Sequence, residues 1–434
     1  MGFKKHIAQY FIKSQLLLVI MFFAIFALAF TRPHSDSTNN SSRFMTMQAI
    51  VEQGTLVIND YQINTDDKIL RDGNYYSSKP PVLSVAGAGV YFVLYNVFNL
   101  DIRMLDQSWA IYFINLILVG GSFFALLFIL HKTIKLLDIR KEYRTWLLLG
   151  FGLGTLFFSF FISLNNHTIA GSLLFIGFYF LLKLKLKKSN NYKKYLSLSG
   201  FFISLAAVID IPTGLTFLFL FFIYCLVTFP KKYIIYYILA ALPMLILQVV
   251  LNYQVTGDFL LPQFHPEFWD PVSVAYGTAI RSRPLVYLIN ILFGTHGLFL
   301  YTPILLFSIY SIYKILRNRK AHFRLEALII FVGFLIIILY YSLKVRVYTG
   351  ASFGYRWLIA ITPLLYFFLL LLFTKKRSYN FLLLFTTTTA ISIVVALIGF
   401  LNPWGRTLAD ILLSNGQIVK IDFPLLVSIM VLFE

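Results

Sequence analysis

The chain has 434 residues, of which 59% are hydrophobic, 18% aromatic and only 13% charged. Soluble domains carry about 25% charged residues, so this composition excludes a soluble enzyme, and it is too hydrophobic for a disordered chain. The net charge of +19 comes from basic residues that flank apolar runs, which indicates orientation in a membrane rather than nucleic-acid binding. The single Cys225 supports neither a disulfide framework nor a cysteine metal cluster.

Apolar runs follow one another along the chain, and most approach the roughly 20 residues that cross a bilayer as a helix. Two longer stretches are broken, at residues 163–167 and 210–213, and each break predicts a turn between two helices. We therefore predict an all-α, polytopic integral membrane protein with about 11–13 transmembrane helices. The runs lie at residues 14–31, 108–130, 145–164, 167–182, 196–210, 212–229, 233–253, 297–313, 325–343, 357–374, 379–401 and 423–433.

The positions of Lys and Arg predict how the spans are oriented. If the N-terminus is cytoplasmic, alternating loops place 24 of the 37 basic residues on the cytoplasmic side, as the positive-inside rule expects. Residues 32–107 then form a long first extracytoplasmic loop and residues 254–296 a second, within a single domain of residues 1–434. Counting residues 81–98 as a span would reverse the loops that follow, so we predict a helix there that lies at the outer interface.

The first loop carries local helix signals. Apolar side chains at positions 44, 47, 50 and 51 predict a short amphipathic helix over residues 43–52, which Gly54 would end. The sequence Lys79-Pro80-Pro81 closes the loop, and proline there is typical of a helix start. The loop is therefore predicted to be folded at both ends.

The acidic residues of this loop, among them Asp36, Asp66 and Asp67, are of the type that can act as a general base. Carboxylates of this kind also hold divalent cations, which are compatible with the loop but not required by it. The competing interpretation is that an exposed loop is simply polar, although this loop concentrates acids in a chain that has only 18.

A Lys or Arg near such acids can hold a lipid phosphate, and Arg356 at the entrance of a later span is a candidate of this kind. Arg356 lies within about one turn of hydrocarbon, where an unpaired charge is costly. A phosphate or carboxylate partner would explain it, and snorkelling to the lipid headgroups is the alternative.

Aromatic and imidazole side chains predicted on the same side of the membrane are candidates for sugar or acceptor contact, namely Tyr75, Tyr76, His167 and His296. The turn that contains His167 needs no functional reason, because asparagines are common in turns. Asp210, which interrupts an apolar stretch, either caps the following helix or faces an outer cavity.

Three blocks of the sequence resemble polytopic glycosyltransferases of the C superfamily, in the group of the protein O-mannosyltransferases and the lipid A aminoarabinose transferases. The blocks are residues 42–81, with Arg43-Phe44 and Tyr75-Tyr76-Ser77-Ser78-Lys79-Pro80-Pro81, then residues 294–303 and residues 350–357. The long first outside loop and the number of spans are also similar.

The resemblance implies transfer of a sugar from a polyprenyl-phosphate donor to an acceptor glycan, lipid or protein at the outer face of the cytoplasmic membrane. It implies inversion at the anomeric carbon, and it implies that Lys79, with Arg43 and Arg356, contacts the lipid phosphate. The chain shows no nucleotide-binding fingerprint, which agrees with a lipid-linked donor. Its expected partners are this donor, the acceptor and membrane lipids, without nucleic acid.

The catalytic base departs from the pattern of these enzymes. They carry an acid just before the Arg-aromatic pair, whereas this chain has Asn40-Ser41-Ser42 there. Either Asp66 or Asp67 then takes that role, or Asp36 does, or the chemistry is altered.

Other functions stay open at this point. A transporter or flippase of lipid-linked saccharides is one, although charges avoid the predicted span centres apart from the marginal Asp210. A polymerase or ligase of lipid-linked glycans is another, and a catalytically inactive relative that binds lipid is a third.

Overall fold

Helices cover every apolar run that the sequence analysis identifies. The computed structural model describes residues 2–61, 65–103, 106–187, 190–269, 283–345, 348, 352–404, 408–412 and 418–432, with side chains from Leu16 onward except at 408–412 and 418–421. The helices are α1 (Gly2–Phe30), α2 (Thr38–Gln53), α3 (Val82–Phe98), α4 (Trp109–Leu136), α5 (Lys141–Gly154), α6 (Leu156–Phe160), α7 (Asn166–Leu186), α8 (Tyr192–Ile209), α9 (Ile211–Thr228), α10 (Ile235–Thr256), α11 (Pro284–Leu292), α12 (Leu298–Tyr301), α13 (Leu306–Arg317), α14 (Arg324–Lys344), α15 (Thr362–Leu371), α16 (Tyr379–Leu401) and α17 (Pro424–Val431).

Seven helical segments of the described chain are long and apolar enough to cross a membrane. Large apolar side chains such as Phe219 and Val227 lie exposed on the outside of the bundle, as expected of a surface that faces lipid chains. The prediction of an all-α polytopic membrane protein is therefore confirmed. The seven segments are α4, α7, α9, α14, α16, Lys231–Thr256 around α10, and Arg356–Thr374 around α15.

Both predicted breaks between helices are present. The side chain of Asn165 accepts a hydrogen bond from the Thr168 amide at 2.8 Å and so caps α7. Asp210 separates α8 from α9, but its side chain makes no capping hydrogen bond. Asp210 therefore stands at the N-cap position of α9 without a capping side chain, because its carboxylate pairs with His167 of another helix.

The first loop folds into a helix, a hairpin and a second helix. Helix α2 begins earlier than predicted, because Ser37 caps it, and it ends as predicted at Gly54, whose φ of +70° suits a residue without a side chain. Strands β1 (Lys68–Arg71) and β2 (Asn74–Ser77) pair antiparallel, a hairpin that the sequence analysis does not predict. Helix α3 follows Pro81, as expected of a proline at a helix start.

Helix α7 packs closely against the segment that carries Arg356. A side chain on Gly171 would bring its Cβ within 2.9 Å of the Cα and carbonyl oxygen of Ala360, so only glycine allows this approach. The start of α7 and the 3-10 segment Arg356–Ile361 are thereby held together at one end of the bundle.

A second pair of short strands, β3 (Leu408–Leu412) and β4 (Ile418–Asp422), precedes α17 and is antiparallel. Parts of the predicted loops lie outside the described residues. They are residues 270–282 of the second extracytoplasmic loop, and residues 346–347 and 349–351 in the segment before Arg356.

Candidate functional site

Arg43 ties the first-loop helix to the helical bundle. Only 2% of its surface is exposed, and its Nη2 donates to Oδ1 of Asn166 at 3.3 Å, at the start of α7. Its Nη1 donates to the backbone and side chain of Asn39. Burial lowers the pKa of Arg43 to about 10. Its Nε is buried and has no hydrogen-bond acceptor in the described part of the chain, so this donor is free for an anion.

The β-hairpin brings Asp67 and Lys79 together. Lys68 pairs with Ser77 at the open end of the hairpin, so the residues that flank the two strands come close to each other. The Lys79 ammonium donates to Asp67 Oδ1 at 2.7 Å, and Ser42 on α2 donates to the Asp67 carbonyl at 2.7 Å. This register places both charges beside α2, which carries Arg43.

Opposing effects act on the Asp67 carboxyl. Burial raises its pKa, but the positive charges of Lys79, Arg356 and Arg43 outweigh burial and lower the pKa below its usual value. For Lys79, burial lowers the pKa of the ammonium, and the charge of Asp67 opposes this only in part. Asp67 is therefore ionised at neutral pH and is a weak proton acceptor.

Arg356, which is far from the first loop in the sequence, is the third cation at this site. Its guanidinium lies over the ring of Trp404, with its central carbon 4.5 Å from the ring centre. Its Nε is buried and, among the described residues, finds no hydrogen-bond acceptor. Its charge acts on Asp67, on Arg43 and on Lys79. We call Arg43, Lys79, Arg356 and Asp67, whose charges act on one another, the cationic cluster.

The cationic cluster holds three positive charges and one carboxylate, and all three cations are largely removed from water. Such an excess of buried charge is unfavourable unless an anion compensates it. Two guanidinium groups with unused Nε donors can bind phosphate oxygens, and the ammonium of Lys79 adds a point charge. The arrangement is therefore suited to a phosphate group.

His167 and Asp210 form a buried pair next to this cluster. His167 Nδ1 lies 2.8 Å from Asp210 Oδ2, and their side chains are 8% and 2% exposed. The pair joins the start of α7 to the junction of α8 and α9. The charges of Arg43 and Arg356 both act on the His167 ring, and Asp210 acts on Arg43. His167, predicted from the sequence, thus lies at the cluster.

Asp36 belongs to a different set of contacts. Ser163 donates to Asp36 Oδ2 at 2.7 Å, and His34 Nε2 lies 2.8 Å from Asp36 Oδ1. Ser163 also accepts hydrogen bonds from Trp404 Nε1 at 2.9 Å and from the side chain of Asn40 at 3.2 Å. Asp36 therefore supports the indole on which a cluster arginine lies, rather than contacting the cluster directly.

The other predicted residues lie apart from the cationic cluster. Asp66 is exposed and makes no hydrogen bond or ion pair with the described residues. Tyr75 packs beside Met45, Ala49 and Ile58, and Tyr76 lies with Ile69 and Val255. His296 stacks on Tyr348 and lies 3.4 Å from Asp422. Burial lowers the pKa of His296 to about 4.

Metal ligands are not grouped in the described residues, where no three His, Cys, Asp or Glu side chains lie close enough to hold an ion. The carboxylate at the cluster is already paired with Lys79.

Two residues of the site, Asn166 and Asp210, are not among the site residues predicted from the sequence. Asn166 accepts from Arg43, and Asp210 pairs with His167. The signal for Asp210 was available, since an acid inside an apolar stretch of a membrane protein is a functional candidate by default. Asn166 stands in a turn, where asparagine is common, and carries no such signal.

Comparison with solved structures identifies the architecture. The chain is similar to ArnT from Cupriavidus metallidurans in its apo state, with a TM-score of 0.52 and 12% sequence identity over 89% of this chain and 76% of that one. It has the ArnT fold. The structure of the same ArnT bound to undecaprenyl phosphate gives a TM-score of 0.52 and 13% identity, over 88% of this chain and 69% of that one.

Sequence comparison adds nothing to this, since no protein-family model and no curated protein matches the chain. The resemblance to polytopic glycosyltransferases that the sequence motifs suggest is confirmed at the level of the ArnT fold.

Proposed function

We propose that this protein is a membrane glycosyltransferase that takes a sugar from a polyprenyl-phosphate donor. The observation that carries the proposal is the cationic cluster, in which a buried Arg43 and the partly buried Lys79 and Arg356 act on a single carboxylate, and both guanidinium groups keep an unused Nε donor. The ArnT fold supports the class of donor, because an ArnT of this fold has been seen bound to undecaprenyl phosphate.

The cations would act mainly on the leaving group. When the bond between the anomeric carbon and the phosphate oxygen breaks, negative charge develops on the phosphate. Fixed positive groups that meet this charge lower the barrier more than groups that bind donor and transition state equally. Arg43 and Arg356 would bind oxygens through two or more donors each, and Lys79 would add an ammonium held in place by Asp67.

We further propose that the acceptor, a glycan, lipid or protein, approaches at the outer face of the cytoplasmic membrane, and that the N-terminus is cytoplasmic. The positive-inside distribution of the loops supports this orientation. Displacement by an acceptor hydroxyl would invert the anomeric carbon. Of the three candidate acids in the first loop, Asp67 alone lies at the cationic cluster, where its ion pair favours a role in holding Lys79 over proton transfer.

Binding of undecaprenyl phosphate to the purified full-length chain tests the donor class. Native mass spectrometry should show a bound undecaprenyl phosphate or its glycosyl ester, while undecaprenol, which lacks the phosphate, should bind at least about tenfold more weakly. Arg356→Ala should weaken undecaprenyl phosphate binding by about tenfold or more. Arg103→Ala serves as the matched control, because Arg103 is an exposed first-loop arginine.

Equal binding of undecaprenol and undecaprenyl phosphate would contradict the proposal. Transfer is then measured in proteoliposomes with a panel of undecaprenyl-phosphate hexoses and pentoses and with envelope glycans and lipids as acceptors. A lipid that binds but is never turned over, while it crosses the bilayer, would indicate a flippase. Binding with neither transfer nor crossing would indicate an inactive relative.

A further inference from the structure

The His167 and Asp210 pair has the geometry of an oriented imidazole. With His167 Nδ1 donating to Asp210 Oδ2 at 2.8 Å, the neutral ring carries its lone pair on Nε2. Nε2 has no hydrogen-bond partner among the described residues, although the side chain is only 8% exposed. A carboxylate that fixes the tautomer of a histidine while its other nitrogen stays available is the arrangement of a general base.

The pair also lies where a base is needed. Asn166, the neighbour of His167 on α7, accepts from Arg43 of the cationic cluster. The charged groups that act on the ring are Asp210, Arg356 and Arg43, and the last two belong to the cluster. A phosphate held by those guanidinium groups therefore lies beside the imidazole.

Two acids that the sequence offered as the general base, Asp67 and Asp36, are less suited to accept a proton than His167. Asp67 is held by Lys79, and the neighbouring positive charges lower its pKa. Asp36 is occupied by Ser163 and His34. At the position where similar enzymes carry an acid, this chain has Asn40, an amide that cannot accept a proton.

We propose that His167, positioned by Asp210, takes the proton of the acceptor hydroxyl during sugar transfer. This inference rests on the proposed function. The acceptor oxygen forms a bond to the anomeric carbon as its proton moves to His167 Nε2. The bond between that carbon and the phosphate oxygen breaks, and the electron pair leaves with the polyprenyl phosphate. Asp210 stabilises the imidazolium that forms. His167 is thus a catalytic residue and Asp210 a positioning residue.

Steady-state transfer with the undecaprenyl-phosphate sugar that the wild-type protein turns over tests this role. His167→Gln should lower kcat by about 100-fold or more and leave the KM for the donor within about threefold. Asp210→Asn should lower kcat by about 10-fold or more. His322→Gln, at an exposed histidine next to the opposite end of α7, is the control and should keep wild-type kinetics.

The pH dependence separates a base from a structural contact. Wild-type kcat should fall as the pH decreases, because a protonated imidazole accepts no proton, and His167→Gln should lose this dependence. If Asp67→Asn loses it and His167→Gln keeps it, the proposal is overturned. A wild-type protein that turns over no donor of the panel would reject the proposed function itself, whereas full activity of His167→Gln would reject only this inference.

Chemical modification measures the reactivity of the His167 imidazole without requiring the protein to turn over a donor. Diethyl pyrocarbonate reacts with an unprotonated, accessible imidazole nitrogen, and peptide mass spectrometry locates the product. His167 should react, and saturating undecaprenyl phosphate should slow its reaction by about fivefold or more while the exposed His322 reacts unchanged. A His167 that is inert, or that undecaprenyl phosphate does not protect, would overturn the proposal.

Discussion

The ammonium of Lys79 lies 2.7 Å from the carboxylate of Asp67, and the two residues flank the two strands of one short hairpin. The pair therefore depends on a local register rather than on the packing of distant helices. Because the pair lies beside Arg43 and is partly buried, the pKa values of both groups are shifted, and these shifts predict how binding and stability change with pH.

Donor binding should weaken at alkaline pH through Lys79. Burial lowers its pKa from the ordinary value of 10.5, so the charge is lost at lower pH than in an exposed lysine. The affinity for undecaprenyl phosphate should fall by about threefold or more between about pH 7 and about pH 10. Lys79→Arg should reduce this fall, because a guanidinium keeps its charge in that range. Binding curves that decline in parallel for both proteins would contradict the role of Lys79.

At acidic pH, the stability of the first loop should depend on the charge of Asp67. Its pKa in the folded protein is below the ordinary value of 3.8, so its contribution is present at neutral pH and is lost as the pH falls through the folded pKa. Asp67→Asn should cost about 1–3 kcal/mol at neutral pH, because it leaves Lys79 without its counter-charge. Thermal unfolding in detergent measures this cost.

The difference in Tm between wild type and Asp67→Asn should narrow below about pH 4. Asp101→Asn provides the comparison, since Asp101 pairs with Arg103 and both side chains are at least half exposed. An equal loss of Tm in both variants would show that the Asp67–Lys79 pair contributes no more to stability than the exposed Asp101–Arg103 pair.

A second buried ion pair at the opposite end of the bundle should matter for stability. The Glu326 carboxylate is fully buried and accepts from Lys185 Nζ at 2.7 Å and from the Tyr224 hydroxyl at 2.6 Å. These bonds join α7, α9 and α14. Glu326→Ala leaves the partly buried Lys185 ammonium without its counter-charge and should cost about 3 kcal/mol, measured as a loss of Tm.

Glu142 offers the matched control for this variant. It pairs with Arg140, and nearly half of each side chain is exposed, so solvent screens the interaction. Glu142→Ala should leave Tm unchanged within error. If Glu326→Ala is equally silent, the contacts of its carboxylate do not hold the three helices together.

The close approach of α7 to the segment of Arg356 predicts an effect of Gly171 on the cationic cluster. Gly171→Ala places a Cβ 2.9 Å from the backbone of Ala360, which must move. We expect a loss of about 1–3 kcal/mol and weaker binding of undecaprenyl phosphate, since Arg356 moves with this segment. Gly89→Ala on α3 has open space and should be neutral or slightly stabilising. Unchanged binding in Gly171→Ala would show that Arg356 does not depend on this contact.

Several features follow from the sequence alone because they depend on short stretches of chain. The apolar runs fix the helices, since a polar backbone in lipid has to bond within its own segment. Gly54 ends α2 because its backbone is left-handed there, and Pro81 precedes α3. The three cations of the cluster were also candidates from the sequence, Arg356 because it stands at a span entrance, and Arg43 and Lys79 because they match the motifs of polytopic glycosyltransferases.

The tertiary structure decided which side chains meet. Among the three candidate acids of the first loop, only the hairpin register shows that Asp67 pairs with Lys79 while Asp66 is exposed. His167 and Asp210 are 43 residues apart and meet because α7 packs against the junction of α8 and α9. Composition and hydropathy determine that a segment is a helix in a membrane. They do not determine the rotation of that helix or its partners, which depend on how side chains from distant segments fit together.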